Sequence, residues 1–513
     1  MSTQIERSLS RAKKLEANSD LRGALHILES VVQRFPHNPR AVARRDNTRL
    51  KLLRKTAGLN PPDDVQYKLK ALHDNAKWPE LLKATSLLMD VHPNSTLLMN
   101  MLGIAHLELG NLNASEREHR KALARNPNLA GTHINLGNAL QAQGKILEAI
   151  ECYKISISKE PNIAEAYNNL ANCLNVFGNY DEVENHYQTA VEKKPNYSDA
   201  KYNLGGIKLL KGEFKEGWHL REYRWDRPDF KPHIERFSEP QWNGEKTKTL
   251  FVWAEQGIGD EAMFASCLNE LLSYAEQLVV SVDKRSISLF ERSFPNITFV
   301  DRNANIHDVK FDHHVSAMTA VAFLRPNLEA FASAPSNYMK ACDKRVTKIR
   351  QKLEAEANGR PIIGVSWFTK AKVGAVLRSI SIVDLINQLP ENAYIVNLQY
   401  GDVEQDRKKL NRYTGKDIFV ETGVDNKNDI DGLCALISAC DRIVSVDNAT
   451  VHFAGALGKT CDVLVPFTGD WRWGMNWRRD TYWYPSLNLH RQIEPWDWSG
   501  GLSSLKLALE KNS

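Results

Sequence analysis

Residues 127–162 read PNLAGTHINLGNALQAQGKILEAIECYKISISKEPN, opening and closing on the same Pro-Asn pair. That pair recurs every 34 residues, at Pro93-Asn94, Pro127-Asn128, Pro161-Asn162 and Pro195-Asn196. In the same frame one unit carries Leu136, Gly137, Ala149 and Tyr153. The next carries Tyr167, Leu170, Ala171, Tyr187 and Ala190, and Leu204-Gly205 begin another. A fixed period of this length marks stacked supersecondary units that bury their apolar faces against one another. Small residues sit where two helices of a hairpin meet, large ones fill the gap between hairpins, and Pro ends the second helix. Residues 5–93 read as more divergent hairpins, with Pro36 and Pro39 closing the first.

This pattern resembles the tetratricopeptide repeat. The resemblance implies an α-α superhelix over residues 1–225, with first helices lining a groove for a polypeptide partner. Asn135, Asn169 and Asn203 share one register of those helices. A carboxamide offers an acceptor and two donors, so such a column can pair with an extended backbone whatever its side chains. The O-linked N-acetylglucosamine transferases carry a similar ladder, which implies acceptor binding by these three residues. The competing reading is that they only cap or solvate helices.

A chain of 513 residues divides into two or three domains. Lys and Arg exceed Asp and Glu by five over the whole length, which argues against nucleic acid as a partner. The most basic run, Arg40 to Lys55, has Leu and Val at helical spacing and reads as a solvated helix face. Seven scattered cysteines have no metal-ligand spacing and suggest free thiols. The N-terminus has no apolar signal core, and no stretch is apolar enough to span a membrane, so a cytoplasmic protein is expected.

Past Gly212 the repeat dissolves into EGWHLREYRWDRPDFKPHIERFSEPQWNGEK, where Pro228, Pro232 and Pro240 forbid a long helix. Residues 226–246 are therefore a junction. From Thr247 short apolar runs alternate with amphipathic stretches, the pattern of βαβ units and parallel sheet. Strands are expected at 250–254, 278–283, 297–301 and 312–317, and a helix from Glu261 to about Ala275. After a helical linker, further strands are expected at 362–368, 393–399, 417–421, 442–447 and 462–466. Two Rossmann-like halves, 247–335 and 361–513, joined by 336–360, would leave a cleft facing the carboxyl ends of their strands.

The turn EQGIGD (255–260), the segment GVSW with RS downstream, the run SVDNATVHFAGALGK (445–459) and the closing DWRW and WYP carry a second resemblance. They are similar to glycosyltransferases related to the bacterial heptosyltransferases, in particular the branch bearing tetratricopeptide repeats. The resemblance implies a GT-B fold, a nucleotide-sugar donor and no metal or other cofactor. Asp260 is implied as the base that takes the acceptor's proton, with Glu255 as second choice; an N-cap is the alternative role for Asp260. Gly257 and Gly259 would let the turn approach the donor. Asp447, Asn448, Thr450 and His452 open a helix whose free N–H groups suit a diphosphate, although Asp447 or Asn448 could simply cap it. Lys370, Lys372 or Arg378 could neutralise the leaving group, Arg378 being the family match, and Gln399 ends a strand that faces the cleft. The family's polar loop before RS is replaced here by Val373, Gly374, Ala375 and Val376.

Two other signals carry less. Asp429-Ile430-Asp431 has the form of a metal-binding D-x-D but reads as a helix cap. His313 and His314 are adjacent on a strand and point to opposite faces. The expected activity is inverting, metal-independent transfer of a sugar to a protein held by the repeats, flagellin being one acceptor by analogy. The alternatives are an inactive repeat scaffold and a transferase acting on a lipid-linked saccharide.

Overall fold

The computed structural model describes residues 2–56, 58–370, 377–475 and 478–511. Contacts divide the chain into two units, Met1–Cys173 and Leu174–Ser513.

The 34-residue period becomes helical hairpins. Helices α1 (Ser2–Ala17) and α2 (Leu21–Arg34) pair, α3 (Pro39–Thr56) packs on α2, and α4 (Asp63–Asp74) pairs with α5 (Trp78–Val91). Then follow α6 (Thr96–Glu108) with α7 (Leu112–Arg125), and α8 (Ala130–Ala142) with α9 (Ile146–Lys159). The series continues with α10 (Ala164–Leu174), α11 (Tyr180–Lys193), α12 (Ser198–Lys211) and α13 (Phe214–Arg221). The first helices α6, α8, α10 and α12 start 34 residues apart. Gly110, Gly144, Gly178 and Gly212 turn the hairpins with φ between 70° and 85°, the left-handed region a residue with Cβ avoids. One period earlier Ala76 holds the same conformation at φ 53°, which marks α4–α5 as a diverged copy. A Cβ on Gly137 would lie 2.6 Å from the Tyr153 ring, so glycine is what lets α8 and α9 touch.

The second unit holds two parallel sheets flanked by helices. One has the order β3-β2-β1-β4, from β1 (Thr247–Trp253), β2 (Ala275–Val282), β3 (Thr298–Asp301) and β4 (His313–Ser316). The other has the order β6-β5-β7-β8-β9, from β5 (Ile362–Ser366), β6 (Tyr394–Asn397), β7 (Arg442–Val446), β8 (Cys461–Val465) and β9 (Leu487–Arg491). Every residue of β5 and β8 is buried, as expected of strands covered on both faces. Val365, Val444, Val446 and Leu464 form the middle of that core.

Three sequence expectations need correction. DIFVE (417–421) is not a strand; it contributes one bridge, Phe419 to Val396. The fifth strand of the second sheet is β9, whose LNLHR is too polar in alternation to stand out. The helix expected from Glu261 to Ala275 begins at Ile258 and breaks into Ile258–Phe264, a 3-10 turn and Leu268–Leu271. Among the described residues no helix is long and apolar enough to cross a membrane.

Candidate functional site

A cavity of about 480 Å³ opens where the two sheets present the carboxyl ends of their strands. Its walls follow β1 (Gly257 to Asp260), β2 (Arg285), β5 (Thr369, Lys370 and Arg378), β6 (Tyr400), β7 (Asp447 to Thr450, His452 and Phe453) and β8 (Asp470 and Arg472). These six strands hand side chains to one place beyond their carboxyl ends, which is how parallel α/β sheets build binding sites.

Asp260 stands in the first turn of the helix Ile258–Phe264. Its Oδ2 accepts from the Gly257 N–H at 3.2 Å, so it does cap the helix. Its Oδ1 accepts from Arg472 Nε at 2.8 Å and also meets that guanidinium's second nitrogen. Arg472 in turn donates to Gln256 Oε1 at 2.7 Å and lies over the Trp471 ring. Burial alone would pull the Arg472 guanidinium down, but the charges of Asp260 and Asp470 outweigh it and raise it. The DWRW motif thus supplies a cation that pairs with the candidate base.

Gly259 lines the cavity and has a packing task as well. A Cβ there would come 2.9 Å from His452 and 3.3 Å from the Ala449 Cα, so this glycine lets the helices Ile258–Phe264 and Ala449–Ala456 touch. Gly257 has an ordinary φ of −76° and room for a side chain.

Asp447 lines the cavity 3.3 Å from Arg378. Asn448 caps the helix Ala449–Ala456 through the Thr450 N–H at 3.0 Å, and its amide donates to Ser366 Oγ at 2.7 Å. Its polar groups are therefore engaged in joining the ends of β5 and β7. Thr450 and His452 are buried in the same wall. His452 Nδ1 lies 3.1 Å from the Tyr484 hydroxyl, and its ring stacks on Trp473. Burial lowers its pKa, against the pull of Asp260 and Asp447.

Two expected residues lie outside the cavity wall. Gln399 is buried, and its Oε1 accepts from Ser366 Oγ and the N–H groups of Trp367 and Phe368, so it organises the loop after β5. Glu255 is buried in an ion pair with Arg224, at 2.7 and 3.2 Å, and accepts from the Met318 N–H. A carboxylate so enclosed cannot reach an acceptor hydroxyl in the cavity. Lys372 and the residues Val373, Gly374, Ala375 and Val376 lie outside the described residues.

Arg285, Lys427, Asp470 and Arg472 join the wall without having been expected there. Of these, only Asp470 and Arg472 carry a sequence signal, the DWRW motif itself. Asp429 caps its helix and pairs with Arg345, and Asp431 pairs with Arg292, as a cap reading requires. His313 bonds Thr247, whereas His314 stacks on Phe237.

Glu261, next to the candidate base, has its pKa raised to about 7 by burial, against hydrogen bonds from the Asp283 N–H and Arg302. Arg302 also holds the Gln256 carbonyl at 2.7 Å, so this buried pair pins the turn 255–260. An acid raised from 4.5 binds its proton more tightly folded than unfolded, so its contribution is complete below pH 4.5 and is lost as pH rises to 7. Between pH 5 and 8 the wild type should therefore lose stability relative to Glu261→Gln, by on the order of 3 kcal/mol in full. Parallel pH profiles in urea unfolding would show that Glu261 is not the titrating group.

In the array, Asn135 donates to Asn100 at 3.0 Å and Asn169 to Asn138 at 2.9 Å, linking consecutive first helices. Both are part-buried, and Asn203 sits at the same register of α12. One donor of each of the first two carboxamides is thus spent within the array.

The fold and site together define a repeat array followed by a parallel α/β part with a charged cleft. Residues 134–197 match the family model of the tetratricopeptide repeat. The protein FlbA of Caulobacter vibrioides is 29% identical over 306 residues, spanning 55% of this chain and 50% of that one. The human aspartyl/asparaginyl beta-hydroxylase is 26% identical over 175 residues, or 30% of this chain and 23% of that one. The chain thus spans half or less of the length of these curated relatives. Among solved structures, MamA (17% identity, TM-score 0.27) covers 33% of this chain and 97% of its own. A thermophilic repeat protein of Thermus thermophilus, TTC0263 (20% identity, TM-score 0.25), covers 40% and 99%.

Proposed function

We propose that the α/β part is a glycosyltransferase of GT-B type that moves a sugar from a nucleotide-sugar donor to a protein acceptor held by the repeats. The observation that carries this reading is the cavity at the ends of both sheets, where Asp260 faces a wall bearing Arg378, Lys370 and the start of the helix Ala449–Ala456. In the proposed step the bond from the anomeric carbon to the diphosphate oxygen breaks, and its electron pair leaves on that oxygen. The acceptor oxygen bonds the same carbon from the opposite face, and its proton passes to Asp260. Arg378 and Lys370, with the positive end of the dipole of the helix Ala449–Ala456, stabilise the departing diphosphate electrostatically, the role a metal takes in other transferases. Tetratricopeptide hairpins bind polypeptide, which supports a protein acceptor, and flagellin is one to try.

The test is to incubate the full chain with a panel of nucleotide sugars and a candidate acceptor. One donor should raise the Tm and release nucleoside diphosphate only when the acceptor is present. Neither a shift nor release with any donor would favour an inactive scaffold, a reading that draws on the Arg472 ion pair occupying Asp260. Release with a lipid-linked saccharide alone would move the acceptor from protein to glycan.

A further inference from the structure

Buried arginines of the second unit are mostly matched by a carboxylate or a ring. Arg224 holds Glu255 and Glu222, Arg325 meets Glu270 at 2.8 Å, and Arg221 lies 3.5 Å from the centre of the Tyr202 ring. Arg491, which ends β9, is buried too, but among the described residues no carboxylate pairs with it. Its Nε donates to the Arg478 carbonyl at 2.9 Å, and its Nη2 to the carbonyls of Trp473 and Gly474. Its Nη1 is enclosed by protein and has no hydrogen-bond partner. Three carbonyl dipoles do not cancel a unit charge, and a guanidinium keeps its proton in a protein. Burial pulls the pKa of Arg491 down only to about 10, so the charge is present at neutral pH.

A second unmatched donor belongs to the same neighbourhood. Tyr180, the first residue of α11, is buried, and its hydroxyl has no hydrogen-bond partner either. The charge of Arg491 acts on this hydroxyl, yet burial still pushes the phenol up to about 12, so Tyr180 does not become the missing anion. Both residues flank the segment 467–469. The Phe467 ring stands 2.8 Å from where a Cβ on Gly178 would lie, and Arg491 Nη1 stands 3.1 Å from the same position on Gly469. A side chain at 469 would crowd Nη1, so glycine keeps room beside that nitrogen.

We infer that a small monovalent anion of the chloride class binds between Arg491 Nη1 and the Tyr180 hydroxyl. Nη1 offers two N–H donors and the phenol one O–H, and a halide accepts from all of them. It also brings the charge that the site lacks. A water molecule would satisfy the donors and leave the cation uncompensated, which is costly in a buried place. Phosphate and larger oxyanions do not fit, because both donor atoms are enclosed by protein. The bound ion would tie α11 to the loop that carries Arg472 and Trp473, the partners of Asp260 and His452. The site uses none of the groups assigned to sugar transfer and stands whether or not that reading holds.

The test follows thermal unfolding of the full chain as sodium chloride replaces sodium gluconate at constant ionic strength. An ion that binds only the folded state raises the Tm, here saturably and by about 3 °C at a tenfold excess over Kd. Y180F removes a single hydroxyl and should weaken the apparent Kd for chloride by about tenfold, the worth of one hydrogen bond to a charged group. R491M should abolish the response. Should R491M fail to fold, crystals of the wild type grown in sodium bromide locate the ion without any variant. Anomalous density should then lie within hydrogen-bonding distance of both Arg491 Nη1 and the Tyr180 oxygen. A Tm indifferent to chloride, a response unchanged in Y180F or surviving in R491M, or density for water alone at that place would each overturn the proposal.

Discussion

Replacing Asp260 with Asn should lower sugar transfer by about 10²–10⁴-fold while leaving donor binding nearly intact. The carboxamide has the shape of the carboxylate, but Arg472 and the Gly257 N–H bond different oxygens of Asp260, so its single oxygen keeps one of those two donors and its NH2 loses the other. It has no charge with which to take a proton, so the acceptor hydroxyl would have to attack unaided. Arg472 keeps Asp470 as a partner, which limits the structural cost of the change. The measurement is the initial rate of transfer with whichever donor raises the Tm, set beside that donor's Kd. Loss of rate with an unchanged Kd is the expected result. An undiminished rate would mean that another group, or none, removes the proton.

Replacing Arg224 with Met should unfold the second unit more readily, by about 3–5 kcal/mol. The guanidinium is fully buried. It holds Glu255 by two nitrogens, Glu222 at 2.7 Å, Ser316 Oγ at 2.9 Å and Thr319 Oγ1 at 2.8 Å. These partners come from the turn after α13, the end of β1 and the end of β4, so one side chain ties three segments together. Without it the Glu255 carboxylate, also enclosed, is left without its cation. At roughly 2–4 °C per kcal/mol, the expected fall in Tm is on the order of 10 °C. The double variant R224M/E255M should recover most of it, because removing both charges leaves neither unpaired. If E255Q lost transfer at unchanged Tm, the assignment of Glu255 to structure would fail.

Much of this fold could be read along the chain because it rests on local chemistry. The 34-residue period places α6, α8, α10 and α12, and glycine at 110, 144, 178 and 212 turns the hairpins. Buried parallel strands such as IIGVS betray themselves by continuous apolar runs. Where these signals thin out, reading fails. DIFVE has the composition of a strand, but its sole bridge is at Phe419, and LNLHR has little of that composition yet completes the sheet beside β8. An edge position is a matter of which neighbour is available, and composition does not state it.

The same division holds at the cleft. Asp260, Asp447, Asn448, Thr450 and His452 could be placed beside the cleft because each stands at or near the start of a helix that follows a strand, and Arg378 because it belongs to the RS motif in the loop after β5. Glu255 belongs to the EQGIGD motif and Gln399 follows a strand that points at the cleft, but their side chains turn into buried networks, and only packing decides which way a strand-end residue faces. Arg472 pairs with Asp260 across 212 positions, and Gly259 is needed because a helix 190 residues downstream touches it. By itself, the sequence determined that this chain is a helical repeat array joined to a parallel α/β part, since periodicity and apolar runs are properties of neighbours along the chain. The tertiary structure decided which carboxylate stands in the cleft and which is consumed by a buried arginine. Those outcomes depend on distances and desolvation between residues that meet only when the chain is folded.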